Sequence, residues 1–206
     1  MKNCIIVGAG EFCETSLDIT KNDLVIAADG GLKHLDGLGV IPDLLVGDFD
    51  SLDFGRRGKI AVEVVRLAKE KDDTDTAAAV KIGLERGCRT FHLCGCGGGR
   101  FDHTVANLQL LTFLSKKGAA GFLYGSDFVA TAVTDGEIKF GKEKTGFVSV
   151  FASDGTAEGV NITGLKYPLT NAQLTCDFPL GVSNEFVGER SVVSVKSGTL
   201  LIVYGR

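Results

Sequence analysis

An α/β domain with a mostly parallel layered sheet, followed by a small all-β sandwich or barrel domain, is the fold that this 206-residue sequence predicts. Three observations carry it. Short apolar runs alternate with helical patterns as far as Ser126, and such alternation implies parallel pairing in a layered sheet. Helical periodicity stops after Ser126. Beyond it, the turn dipeptides Asp135-Gly136, Asp154-Gly155 and Ser197-Gly198 separate short alternating segments, as in antiparallel β structure. The expected domains are residues 1–126 and 127–206.

The elements follow in chain order. Cys4–Val7, Leu24–Ala28, Leu44–Val46, Val62–Leu67, Phe91–Cys94 and Gly121–Tyr124 read as short buried strands bounded by Gly, Asp or Asn, which punctuate turns. Asp75–Arg86, rich in Ala, Val, Ile and Leu, predicts a helix with Gly87 as its stop. Thr104–Lys117 carries Leu108, Leu111, Phe113 and Leu114. It ends in Lys116-Lys117-Gly118, cations that suit the negative helix end followed by a stop. Ser191–Lys196 and Thr199–Tyr204 predict a terminal hairpin. No low-complexity linker and no internal repeat interrupts the pattern.

Composition is that of an ordinary globular protein apart from 28 glycines, three prolines and no tryptophan. A formal net charge of −4, with no basic stripe, argues against nucleic acid as a partner. No apolar run reaches the length of a membrane span, and the first residues lack a signal-peptide pattern. The cytoplasm is therefore the expected location. The six cysteines show no zinc spacing and read as small buried residues of a reducing compartment.

Two acidic clusters dominate the chemistry: Gly47-Asp48-Phe49-Asp50-Ser51 and Lys71-Asp72-Asp73-Thr74-Asp75. Crowded carboxylates repel unless a cation sits between them, and Mg²⁺ takes hard oxygen ligands that it shares with substrate phosphates. Asp48 and Asp50 follow a strand, where an open α/β sheet binds ligands. In extended chain, residues two apart face the same way. The pair reads either as metal ligands or as a polar turn with a helix cap. In the second cluster one carboxylate caps the following helix, but like charges this close leave at least one for a ligand. Asp29-Gly30-Gly31 repeats the strand–Asp–Gly form, as a nucleotide contact or as a turn.

Gly95-Cys96-Gly97-Gly98-Gly99-Arg100-Phe101-Asp102-His103 lies between a strand and a helix. Bare glycines let backbone N–H groups approach a polyphosphate, Arg100 brings a bidentate cationic fork, and His103 is a second cation candidate. The segment is neither a Walker A loop nor a clean dinucleotide fingerprint, and Gly8-Ala9-Gly10 is a weaker G-x-G at a strand end. In the β part, Gly164-Leu165-Lys166-Tyr167-Pro168-Leu169 and Gly181-Val182-Ser183-Asn184-Glu185 mix apolar or aromatic residues with small polar ones. They suit a planar heterocycle or ordinary turns.

Taken in order, Asp29-Gly30-Gly31, Gly47-Asp48-Phe49-Asp50-Ser51, Asp72-x-Thr74-Asp75 and Gly98-Gly99-Arg100-Phe101-Asp102-His103 with Asn107, then the two later segments, make the chain resemble the thiamine pyrophosphokinase (thiamine diphosphokinase) family over essentially its whole length. The resemblance implies transfer of the diphosphate of ATP to the hydroxyl of thiamine, giving thiamine diphosphate and AMP with Mg²⁺. It also implies a homodimer with thiamine between the α/β domain of one subunit and the β domain of the other. It maps metal and catalytic roles onto Asp48, Asp50 and Asp75, and a catalytic and ATP-gripping role onto Arg100. Nucleotide and metal-shell positions fall on Asp29, Gly30, Asp72, Thr74, Gly98, Asp102 and His103, and thiamine contacts on Tyr167, Ser183 and Asn184. Tyr167 stands where eukaryotic members carry Trp and Lys71 where other members often carry Gln; Asp73 is extra to the motif. Competing readings are a nucleotide-sugar glycosyltransferase, a pyrophosphokinase acting on a pterin alcohol, and a sensor without chemistry. AMP formation from ATP and thiamine separates them.

Overall fold

Strands β1 (Asn3–Val7), β2 (Leu24–Ala28) and β3 (Leu44–Gly47) are buried almost throughout, as parallel strands covered on both faces must be. In the computed structural model, which describes residues 2–13, 19–48, 62–68 and 72–206, they form one run with β4 (Glu63–Arg66) and β5 (Thr90–Cys94). The order is β5-β1-β2-β3-β4 and the four pairings between these strands are parallel. Ile5 stands beside Val25 on one side and His92 on the other. Edge strand β4 is largely exposed.

Helix α1 (Leu32–Gly37), too short to show a period, was not expected. A 3₁₀ turn, Asp29–Gly31, leads into it. A β-carbon at Gly31 would overlap the Val7 carbonyl oxygen, so glycine alone lets this turn sit against the end of β1. Helix α2 (Asp75–Glu85) buries Ala78, Ala79, Val80 and Gly83. Helix α3 (Phe101–Lys116) begins three residues before the expected Thr104.

The chain divides into two compact units, Met1–Asn107 with Tyr124–Ser126, and Leu108–Leu123 with Asp127–Arg206. Most of α3 and β6 (Ala120–Tyr124) thus groups with the β strands instead of parting from them at residue 126. Side-chain bonds explain it: Thr112 pairs with Ser153, Lys116 with Asp154, Ser115 with Thr134 at 2.9 Å, and Thr131 donates to the Gly121 carbonyl at 2.7 Å.

The second unit holds β7 (Phe128–Thr134), β8 (Glu137–Phe140), β9 (Phe147–Ala152), β10 (Thr156–Thr163), β11 (Leu169–Thr175), β12 (Gly181–Glu185), β13 (Ser191–Ser194) and β14 (Thr199–Gly205). Within it, strands run β12-β9-β14-β7-β6 in one sheet and β11-β10-β13-β8 in another. Both sheets feed a shared core: Val148, Val150, Leu200 and Ile202 from the first, Phe140, Val160, Ile162, Leu174 and Val193 from the second. This is the expected sandwich. The expected terminal hairpin is not formed. β13 pairs with β8 and β10, while β14 pairs with β7 and β9. The Ser197-Gly198 turn instead carries the chain from one sheet to the other, held by Gly198 N–H donating to the Asp135 carboxylate at 2.8 Å. Among the described residues no helix is long and apolar enough to cross a membrane.

Asp23 clasps the start of the first unit. Its carboxylate accepts from Asn3 Nδ2 at 2.9 Å and from Thr20 N–H and O–H, both at 2.8 Å. Burial alone would raise its pKa; the donors of Thr20 and Asn3 outweigh that and hold it below its ordinary value. Asp23→Ala is expected to cost about 1–3 kcal/mol in a denaturant melt. The sign of the pH dependence follows. As pH falls through the ordinary value of 3.8, the unfolded chain takes up the proton first, so the stabilisation present above it is lost progressively below it. An acid limb unchanged by the substitution would remove this role.

Candidate active site

A cleft of about 350 Å³ opens at the carboxyl ends of the strands of the first unit. Three strand ends and two helix starts build it. β1 runs into Gly8-Ala9-Gly10, β2 into Asp29, and β5 into the Gly95–Gly99 segment; α2 brings Thr74, Asp75 and Thr76, and α3 with its preceding residue brings Arg100, His103 and Asn107. Asp29 has a left-handed backbone, φ 50°, a conformation that non-glycine residues adopt at a cost and that clusters at functional sites.

Thr74 is the N-cap of α2, its hydroxyl accepting from Ala77 N–H at 3.1 Å. Asp75 is the first helical residue. Asp73 turns to Lys81 at 2.6 Å, an exposed pair of little energetic weight, which gives the extra carboxylate of the motif a local partner. Asp72 is exposed. Asp48 follows β3 and is half-buried. Asp29, Thr74, Asp75, Gly98, Arg100 and His103 line the cleft, whereas Gly30, Asp48, Asp72 and Asp102 are not in its wall. Asp50, Ser51 and Lys71 lie outside the described residues. Among the described residues no three His, Cys, Asp or Glu side chains gather in a metal-holding group.

The glycine segments are tied to one another and to their flanks by backbone donors. Gly8 N–H donates to the Cys94 carbonyl and Gly10 N–H to the Gly95 carbonyl, each at 2.8 Å. Gly98 N–H goes to Thr104 Oγ1 at 3.1 Å and Gly99 N–H to Glu11 Oε1 at 3.3 Å. These four donors serve the loop itself. Buried Asn107 adds a strut, its Nδ2 donating to the Cys96 carbonyl at 2.6 Å. Arg100 presents its fork to Asp102, Nε to Oδ1 at 3.2 Å and Nη2 to Oδ2 at 2.6 Å, and that bond holds the Asp102 carboxyl below its usual range. Sequence reasoning does not single out Thr76 or Cys96 as wall residues. Thr76 is marked only by following Asp75 at a helix start, and Cys96 only by lying inside the glycine run. Burial pushes the Cys96 thiol up to about 12, so it stays protonated at neutral pH and offers no thiolate to a metal.

In the second unit, Tyr167 is exposed and Asn184 buried. Asn184 Oδ1 accepts from Tyr167 N–H at 2.9 Å and its Nδ2 donates to the Tyr167 carbonyl at 2.7 Å, clamping the loop that carries the ring. Lys166 Nζ lies 5.5 Å from the Tyr167 centroid and 2.8 Å from Glu185. Ser183 is exposed on β12, at φ 58°, with its N–H on Ser149 Oγ at 3.1 Å.

Carboxylates, a cationic fork and helix starts gathered at parallel strand ends define an α/β enzyme that handles polyphosphate. The comparisons agree. The family model described as thiamin pyrophosphokinase, catalytic domain, matches residues 17–122, and that described as thiamin pyrophosphokinase, vitamin B1 binding domain, matches residues 136–201. The chain belongs to the thiamine pyrophosphokinase family, enzymes whose reaction is pyrophosphoryl transfer from ATP to thiamine. It is 30% identical over 187 residues to the thiamine pyrophosphokinase of Bacillus subtilis, covering 89% of this chain and 87% of the relative. The crystal structure of thiamine pyrophosphokinase from Bacillus subtilis superposes with a TM-score of 0.88 at 28% identity, covering 100% of this chain and 99% of that one. The one from Geobacillus thermodenitrificans gives 0.85 at 25%, covering 100% and 98%.

Proposed function

We propose that this chain transfers the diphosphate of ATP to the hydroxyl of thiamine at the cleft of its α/β unit, with residues 1–126 serving the nucleotide and 127–206 thiamine. The observation that carries the reading is the single wall shared by Asp29, Asp75, Arg100, His103 and the start of α2. The thiamine hydroxyl oxygen forms a bond to the β-phosphorus as the bond to the α-phosphate oxygen breaks. AMP leaves and the hydroxyl proton passes to a carboxylate. Such transfer asks for positioning and charge stabilisation rather than covalent catalysis.

Asp75, in the wall, is placed to take that proton. Arg100 stabilises charge on the transferred group after exchanging Asp102 for phosphate oxygens, while Asp102 holds the fork until then. Asp29, Gly30, Asp72, Thr74, Gly98 and His103 surround the nucleotide. The donor set fits Mg²⁺: oxygen donors only, with the nearby Cys96 thiol kept protonated. Asp48, Asp50 and Asp75 would hold it. Bound there, the ion supplies charge neutralisation on the phosphates. In the β unit, Tyr167 stacks on thiamine and Ser183 bonds it. Asn184 acts chiefly by placing Tyr167, because its amide is already engaged with that residue's backbone.

A homodimer completes the reading. Phe147, Tyr167, Phe178, Leu180, Val182 and Val187 of the β unit are large, apolar or aromatic, and exposed, side chains that a second copy would cover. The cytoplasm suits its six free thiols, four of them buried. The test is to incubate the purified protein with ATP, Mg²⁺ and thiamine. AMP and thiamine diphosphate should appear in equal amounts. ADP as product, or preference for a pterin alcohol, would overturn the assignment.

A further inference from the structure

We infer that Glu11 is a positioning residue for the nucleotide, its carboxylate bracing the tip of the glycine loop through the Gly99 N–H. The inference rests on the function proposed above.

Glu11 stands on a fixed segment. Just before it, Gly10 N–H is bonded to the Gly95 carbonyl at 2.8 Å, and the Gly10 carbonyl lies 3.1 Å from His34 Nε2. Just after it, Phe12 stacks on the His34 ring, centroids 4.9 Å apart at 17°. Glu11 is therefore carried by backbone anchored both to the start of the glycine loop and to α1. From that anchor its carboxylate reaches the other end of the loop, Oε1 accepting from Gly99 N–H at 3.3 Å. A β-carbon on Gly98 would stand 2.6 Å from Oε2, so the carboxylate lies directly against that residue too.

The braced stretch is the one that most needs it. Gly98 and Gly99 both have positive φ, 81° and 65°. Consecutive glycines there have wide conformational freedom, and they immediately precede Arg100. Thr104 ties Gly98 from the α3 side at 3.1 Å and Glu11 ties Gly99 from the β1 side, so the peptide before Arg100 is held from two directions. Glu11 is not in the cleft wall; it acts through the loop rather than on the substrate. It reduces the ordering that nucleotide binding must otherwise impose on Arg100.

The test measures ATP affinity by calorimetry with Mg²⁺, alongside steady-state kinetics, for wild type, Glu11→Ala and Glu11→Gln. Glu11→Ala should weaken ATP binding and raise its KM by about 3- to 10-fold, the range of one net hydrogen bond. The KM for thiamine, kcat and the melting temperature should stay put. Glu11→Gln keeps an acceptor oxygen and should match wild type. Unchanged ATP affinity in Glu11→Ala overturns the brace. So does tighter binding, which would make the carboxylate a repulsive group, and so does a Gln variant as impaired as the Ala variant. Wild-type protein that binds no ATP would overturn the functional reading itself, and the brace with it.

Discussion

Replacing Asp75 by Asn should lower the rate of thiamine diphosphate formation by about 10²- to 10⁴-fold, the range expected for losing a positioned proton acceptor. The fold should survive. Asn keeps the size and polarity of the side chain, and the cap of α2 comes from Thr74, whose hydroxyl bond to Ala77 N–H at 3.1 Å is untouched. What the helix loses is one negative charge near its start, about 0.3–1 kcal/mol, which for a chain of this length moves the melting temperature by no more than about 4 °C. The contrast between a collapsed rate and a near-constant melting temperature assigns Asp75 to chemistry rather than to the helix. Near-normal turnover at saturating Mg²⁺ would exclude it from both proton transfer and metal binding.

Arg100→Ala is expected to reduce kcat/KM for ATP by about 10²- to 10³-fold, the cost of removing one preorganised donor to developing charge. Stability should not change, because the Arg100–Asp102 pair is largely exposed, 73% and 64%, and exposed pairs contribute little. Arg100→Lys should recover little of the loss. A lysine ammonium cannot span two oxygens as the planar fork does at 3.2 and 2.6 Å with Asp102. The readout is ATP kinetics at saturating thiamine, and an Arg100→Ala protein with wild-type ATP kinetics would end the assignment.

Much of the architecture was legible because burial on both strand faces leaves a plain mark. Leu24–Ala28 and Leu44–Val46 are apolar runs with no polar residue to confuse them, and they became parallel strands. What failed to read was long-range. Alternation in Ser191–Ser194 and Thr199–Gly205 marks both as strands, but it carries no record of which sheet each joins. Their buried residues meet one core from opposite sides, a placement no local pattern contains. The site shows the same division. Asp29, Asp75, Arg100 and His103 were legible as polar, titratable groups at strand and helix ends, and one wall gathers them. The glycine run was legible as a close-approach segment but not in its bonding, since Gly99 takes its partner from Glu11, 88 residues away. Asn184 was legible as polar, yet only its burial against the Tyr167 backbone shows that its amide is engaged within the fold.

Gly31 has a consequence for how this chain can change over generations. A side chain there collides with the Val7 carbonyl, which belongs to the backbone of a central strand and has nowhere to go. Every missense change at that codon meets the same obstacle, so no stepwise substitution leads away from glycine. Gly37, at the far end of α1, has nothing within 4 Å of its would-be β-carbon and no positive φ, so drift there is sterically unopposed. Two glycines six positions apart therefore sit at opposite ends of mutational tolerance, and the difference is set by one carbonyl oxygen beneath the candidate nucleotide site.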